Sequence, residues 1–274
     1  MNAILEGIKL QKEKLNEVKR IVVKAGTSSL TDDDSRLDVG KIAKLVSEVM
    51  SQKRQGRTPI LVSSGAIGAG LGKLGISKRP TSVPELQAAA AVGQGHLMQT
   101  YEFFFNNYEQ PVAQILLTKN DFTNPERYRN MRTALEVLLN WGVIPIVNEN
   151  DTVATEEIKV GDNDTLAAQV SLGVEADLLV ILTDVDGLYT GNPDESPDNK
   201  LVRVVEEVTP EVESWASRAG KGFGGMYTKV QAAKLLSSKG ITTLIVNSNE
   251  QDAINRVLNG QVGTMFLPQG EEKQ

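Results

Sequence analysis

Five stretches of this sequence join residue types that handle anions or ammonium groups to glycines that let a backbone approach a ligand closely. In IVVKAGTSS, Lys24 ends an apolar run, Gly26 follows, and Thr27 to Ser29 offer N–H and hydroxyl donors, which makes half of a phosphate cradle. In ILVSSGAIGAG, Gly65, Gly68 and Gly70 would let a second turn and a helix N-terminus aim free N–H groups at a negative charge. NENDTVATEEIKVGDNDTLAAQ packs Asn148, Glu149, Asn150, Asp151, Asp162, Asn163 and Asp164 into two turns separated by a short hairpin. Carboxylates and amide carbonyls suit an ammonium ligand; Asp164, beside a helix start, can orient lysine side chains, cap the helix, or serve both purposes. In TDVDGLYTGNP, Thr183 and Asp184 follow an apolar run, where they would hydrogen-bond a nucleotide; a plain turn at Asp186-Gly187 is the alternative. GKGFGGMYTK, Gly220 to Lys229, is a glycine loop entering a helix with Lys229 in its first turn. The helix dipole disfavours a lysine there, so it is either a solvated charge or a group that holds a transferring phosphoryl.

Two lysines and converging backbone dipoles are the equipment of phosphoryl transfer, which needs anions positioned in line and their charge neutralised. Neither glycine loop has the G-x-x-x-x-G-K-[ST] or G-x-G-x-x-G order, so Walker and Rossmann enzymes are disfavoured. No histidine stands beside a serine or an acid as a general base, and His96 is the only one in the chain. A carboxylate acceptor removes that need, because a side-chain carboxyl with a pKa of about 4.3 is already ionised at neutral pH. The product would be an acyl phosphate. Mg2+ bridging the phosphates follows from nucleotide chemistry rather than from any ligand spacing, so no protein metal site is expected.

The elements that must position these residues are short β-branched runs, IVVK at Ile21, ILVSS at Ile60, ILLT at Ile115, VIPIVN at Val143, LLVILT at Leu178 and TTLIVN at Thr242. Longer amphipathic stretches alternate with them, so the fold class is α/β with a mainly parallel open sheet and crossover helices. Helices are expected around Ile42 to Met50, with Gly56 as stop signal, and near residues 131–141, 164–173, 228–239 and 250–259. Residues 1–18 read as a helical N-terminal extension and 19–274 as the body, with TGNPDESPDNK from Thr190 as an exposed excursion. The chain has 274 residues, no cysteine and a formal charge of −6, which excludes thiol chemistry and zinc knuckles and argues against nucleic acid as a partner. Its apolar runs are too short to span a membrane and its N-terminus is charged, so a soluble cytoplasmic protein is expected.

Taken together, VVKAGTSSL, VSSGAIGAG, PIVNENDTVATEEIKVGDND, LTDVDGLYT and GGMYTK resemble the glutamate 5-kinase family of the amino acid kinases, in that family's order from about Ile21 to the VGTMF at Val262. The resemblance implies a three-layer αβα sandwich with an N-lobe for glutamate and a C-lobe for ATP, and phosphorylation of glutamate as the first step of proline synthesis. It implies that Lys24 contacts the phosphates, that Lys229 stabilises the transferring group and that Asp164 orients both. Ser64 with the following Gly65 and Ala66, Asp151 and Asn163 match glutamate-binding positions, with Asn148, Glu149 and Asp162 close by. Lys24, Gly26, Thr183, Asp184 and the stretch Phe223, Gly224, Gly225, Met226, Tyr227, Thr228 and Lys229 match the ATP site. Proline as feedback inhibitor, dimers or tetramers and a functional link to glutamyl phosphate reductase are further implications. The chain is expected to be a short form without the C-terminal PUA domain of many members. Kinases of the same superfamily acting on aspartate, acetylglutamate, carbamate or a nucleotide monophosphate are the nearest alternatives, and NENDTV and KVGDND separate them. A sensor that binds the ligands without turnover is the other.

Overall fold

The computed structural model describes residue 15 and residues 17–32, 34, 36–154, 163–193, 195–218 and 225–269. Nearly all of the expected helix over 1–18 lies outside these residues, as do the hairpin expected between the two acidic turns and the candidate site residues Asp162, Phe223 and Gly224.

All of the β-branched runs are strands: β1 Arg20–Ala25, β2 Thr58–Ser63, β3 Val112–Leu117, β4 Ile144–Glu149, β5 Leu178–Thr183 and β7 Thr242–Asn247. Two short strands, β6 Val204–Val205 and β8 Thr264–Phe266, add to them. The eight-stranded sheet has the order β3-β4-β2-β1-β5-β7-β8-β6 and only the β7–β8 pairing is antiparallel. Strand β1 lies at the centre, with Lys24 opposite Val62 of β2 and Ile181 of β5. From β1 the chain first builds outward through β2, then crosses to β5 and builds the other way. That reversal opens a crevice at the carboxyl ends of the central strands, where open sheets of this kind bind ligands.

Alternation along the strands divides the apolar residues between two layers. Val22, Val62, Val147, Ile181 and Ile245 face one side and pack against α5 Pro125–Asn140, α6 Asn163–Gly173 and α8 Met226–Ser237. Ile21, Val23, Leu61, Ile146, Val180 and Val246 face the other, against α1 Val39–Arg54, α3 Val83–Asn106 and α9 Ala253–Leu258. The result is the expected three-layer sandwich, and each fully buried aliphatic side chain contributes about 1.5–3 kcal/mol relative to exposure. Being even-numbered like Val22, Lys24 projects to the α6 and α8 side.

The remaining helices are α2 Ala66–Leu74, α4 Lys119–Thr123 and α7 Pro210–Arg218. Helix α1 opens at Asp38, whose carboxylate accepts from Lys41 N at 3.0 Å, and closes at Gln55 with Gly56 next, the expected stop. No sequence expectation named α3, which is 24 residues long. Its run of alanines favours a helix and Pro84 stands in its first turn, but glycines interrupt any apolar stripe. Helices α2 and α3 pack with almost no space between their backbones. A Cβ on Gly70 would lie 1.8 Å from Ala89 O, and one on Gly93 would lie 1.8 Å from Ala66 O. Gly68 and Gly70 therefore lie inside a helix, Gly70 at its contact with α3, rather than in an anion-binding turn, which corrects the reading of GAIGAG.

Candidate active site

Strand β1 delivers Lys24 to the crevice, and two helix starts meet it there. Asp164, in the first turn of α6, accepts from Lys24 Nζ through Oδ1 at 2.7 Å and from Lys229 Nζ through Oδ2 at 3.0 Å. The hydroxyl of Thr228 also reaches Asp164 Oδ2, at 2.9 Å. All three ionic groups are buried, with relative exposures of 4% for Lys24, 0% for Asp164 and 5% for Lys229. Burial alone would raise the Asp164 carboxyl, but the charges of Lys24 and Lys229 outweigh it and hold the group down at about 2. The helix α6 begins at Asn163, so Asp164 lies inside its first turn. From there it binds both lysines. One carboxylate between two ammonium groups leaves a net positive charge in a dry place, which favours the charge of a phosphoryl group.

The turn after β1 differs from its expected form in detail. Gly26 is extended, with φ −74° and ψ 169°, and precedes a 3-10 turn at Thr27–Ser29. A Cβ there would make only ordinary contact, 3.4 Å from Lys24 Nζ, so neither space nor backbone conformation demands glycine at this position. The Ser29 hydroxyl is buried without a partner among the described residues, and the residue lines a cavity of about 120 Å3 with Lys41, Lys44 and Ser248. Gly65 behaves as a turn glycine: it is the N-cap of α2 at φ +93°, a conformation that glycine adopts without strain. Ser64, before it, is buried and donates its N–H to Ala25 O at 3.1 Å, and Ala66 opens the helix.

On the β4 side, buried amides form a chain. Asn163 donates through Nδ2 to Ser63 O at 2.5 Å and to Asn148 Oδ1 at 2.8 Å. Asn148 Oδ1 also accepts from Glu149 N at 2.8 Å, and its Nδ2 donates to Gln94 Oε1 at 2.9 Å. Sequence reasoning missed Gln94, because it sits in mid-helix on α3 rather than after a strand. Asp151 lies in the turn after β4; burial pushes its carboxyl up to about 6, partly offset by the charge of Arg79.

The structure thus brings together Lys24, Asp164, Thr228 and Lys229, and beside them Asn148 and Asn163. Thr183, at the end of β5, is buried and donates to Asp184 Oδ1 at 3.1 Å, while Asp184 itself is exposed. Gly225 is the N-cap of α8, followed by buried Met226 and half-exposed Tyr227. Among the described residues no group of three or more His, Asp or Glu side chains is arranged to hold a metal ion. With both Asp164 oxygens facing cations, these residues do not fit a metal held by the protein alone.

A profile of the amino acid kinase family matches residues 19–247. The chain belongs to that family, and the fold with its paired lysines defines it as a kinase. It is 51% identical to the glutamate 5-kinase of Caldanaerobacter subterraneus over 252 residues, covering 91% of this chain and 68% of that protein. It is 47% identical to the glutamate 5-kinase of Clostridium acetobutylicum, covering 94% of this chain and 97% of that one. These relatives place it on the glutamate 5-kinase branch. Carbamate kinase from Giardia lamblia bound to AMP-PNP superposes with a TM-score of 0.64 at 16% identity, covering 92% of this chain and 99% of that chain. UMP kinase from Ureaplasma parvum gives 0.60 at 17%, covering 91% and 99%. At such identities the likeness is one of fold. No helix of the described residues is long and apolar enough to cross a membrane.

Proposed function

We propose that the chain transfers the γ-phosphoryl group of ATP to the side-chain carboxylate of L-glutamate, yielding glutamyl 5-phosphate, the first step of proline formation. The observation that carries this reading is the buried Lys24–Asp164–Lys229 cluster next to the Asn148–Asn163 amides, which offers positive charge beside an amide oxygen, Asn163 Oδ1, that suits an ammonium group. In the step, a carboxylate oxygen attacks the γ-phosphorus. The new O–P bond forms as the bond to the β–γ bridging oxygen breaks, and ADP leaves with the electron pair. No proton is removed from the acceptor, so no general base is needed. Lys24 and Lys229 neutralise the charge spread over the transferring group, and Asp164 holds both ammonium groups on target.

In the same reading Ser64, Gly65 and Ala66 bind the carboxylate end of glutamate. Asp151 and Asn163 take its ammonium, with Glu149 and Asp162 close by and Asn148 holding the Asn163 amide in place. Thr183, Asp184 and the stretch Phe223 to Lys229 bind ATP, and Mg2+ enters with the nucleotide phosphates. Inhibition by proline, assembly into homo-oligomers, a link to glutamyl phosphate reductase and a cytoplasmic location are supported by the likeness to the family alone. The test is a hydroxylamine trap: with ATP, Mg2+ and glutamate, the acyl phosphate should be captured as the hydroxamate. ADP release with aspartate, carbamate or another acceptor, and no hydroxamate from glutamate, would overturn the assignment.

A further inference from the structure

We propose that Gln94 is a positioning residue that fixes the direction of the buried amides and thereby the preference for an acceptor bearing an α-ammonium group. The inference rests on the reading of the acceptor as an amino acid.

Backbone groups determine the polarity of the amide chain. The N–H of Glu149 can only donate, so the Asn148 atom 2.8 Å from it is the carbonyl oxygen Oδ1. The carbonyl of Ser63 can only accept, so the Asn163 atom 2.5 Å from it is Nδ2. That same NH2 group gives a hydrogen to Asn148 Oδ1 at 2.8 Å. Asn148 Oδ1 therefore takes two donors, and Asn148 Nδ2 must find an acceptor. The acceptor is Gln94 Oε1 at 2.9 Å, which turns the Gln94 amide nitrogen toward Gln114 Oε1 on β3, 3.3 Å away. At the far end of the chain, Asn163 has committed its NH2 group and can offer only Oδ1. No donor among the described residues reaches that oxygen. An uncharged acceptor in that place suits an ammonium group and gives nothing to a ligand that lacks one.

Asn148 is buried, so loss of the Gln94 acceptor would leave its NH2 group unpaired away from water. The side chain escapes that state by rotating. Rotation withdraws Oδ1 from Asn163, whose amide then loses the partner that holds its own oxygen toward the ligand. Gln94 acts through Asn148 and Asn163 and touches no reacting atom.

The experiment compares kcat/KM for glutamate with that for glutarate, which keeps the nucleophilic carboxylate and lacks the ammonium, using ATP and the full chain. Gln94→Met is similar in size but has no oxygen acceptor. It should lower the glutamate preference about 10-fold through KM for glutamate, with kcat and KM for ATP near the wild-type values. Gln94→Glu restores an acceptor and should keep the preference. An unchanged preference in Gln94→Met, or an equal loss in both variants, overturns the role of Gln94. If Gln94→Met does not fold, loss of the preference in folded Gln94→Glu has the same force. Wild-type protein that uses glutarate as well as glutamate overturns the amino-acid reading, and this inference with it.

Discussion

The centre of the site is a buried carboxylate shared by two lysines, and its energetics follow from that sharing. Removing one member of a buried ion pair commonly costs about 3–5 kcal/mol because the other charge is stranded. Here Asp164 keeps Lys24 if Lys229 is lost, so the cost is softened. Lys229→Met should therefore remain folded while kcat falls by about 100-fold or more and KM for ATP changes little. A normal kcat in steady-state assays would contradict the role given to Lys229. Asp151 supplies the pH dependence. Its carboxyl titrates at about 6, above its unfolded value, and only the ionised form attracts an ammonium group. KM for glutamate should rise as pH falls through about 6, and Asp151→Asn should have a high KM that no longer varies there. Stability has the opposite sign: a raised carboxyl value means that the ionised group costs stability at neutral pH, so Asp151→Asn should melt higher. An equal pH response of KM in wild type and variant would contradict this assignment. Lys24 and Lys229 were legible in the sequence because a lysine after a strand and a lysine in a first helical turn are both out of place unless an anion or a carboxylate meets them. Asp164 was legible as a partner but ambiguous as a cap, since helix boundaries cannot be read to one residue.

At the scale of elements, the close packing of α2 on α3 sets the geometry of the side proposed for glutamate. It fixes where the Gly65–Ala66 helix start sits relative to Gln94. Gly93 is the sensitive position, since a methyl group there would meet Ala66 O at 1.8 Å and Gly70 N at 2.3 Å, both backbone atoms. Gly93→Ala should cost about 1–3 kcal/mol, read as a lower urea midpoint, and should raise KM for glutamate more than KM for ATP. An unchanged midpoint would mean that the helices separate freely. None of this was visible in the linear sequence. GAIGAG reads as an anion-binding turn after a strand, and its packing partner Ala89 lies in a helix whose own glycines hide its periodicity.

Over the whole molecule, the placement of the site follows from topology. Strands β1, β2, β4 and β5 run parallel at the middle of the sheet, so Lys24, Ser64, Asn148 and Thr183 all emerge at one edge. The β-branched runs made these strands legible because a strand buried on both faces must be apolar throughout. Strands β6 and β8 were not legible, since two or three residues carry too little pattern. In the proposed reaction this edge joins a nucleotide phosphate directly to a carboxylate oxygen. Running the hydroxylamine trap with glutamate carrying 18O in its side-chain carboxylate tests that claim most directly. Attack by the carboxylate leaves its oxygen bridging carbon and phosphorus, and hydroxylamine then cleaves at carbon. The phosphate released should carry one 18O atom per hydroxamate formed; unlabelled phosphate would contradict the account.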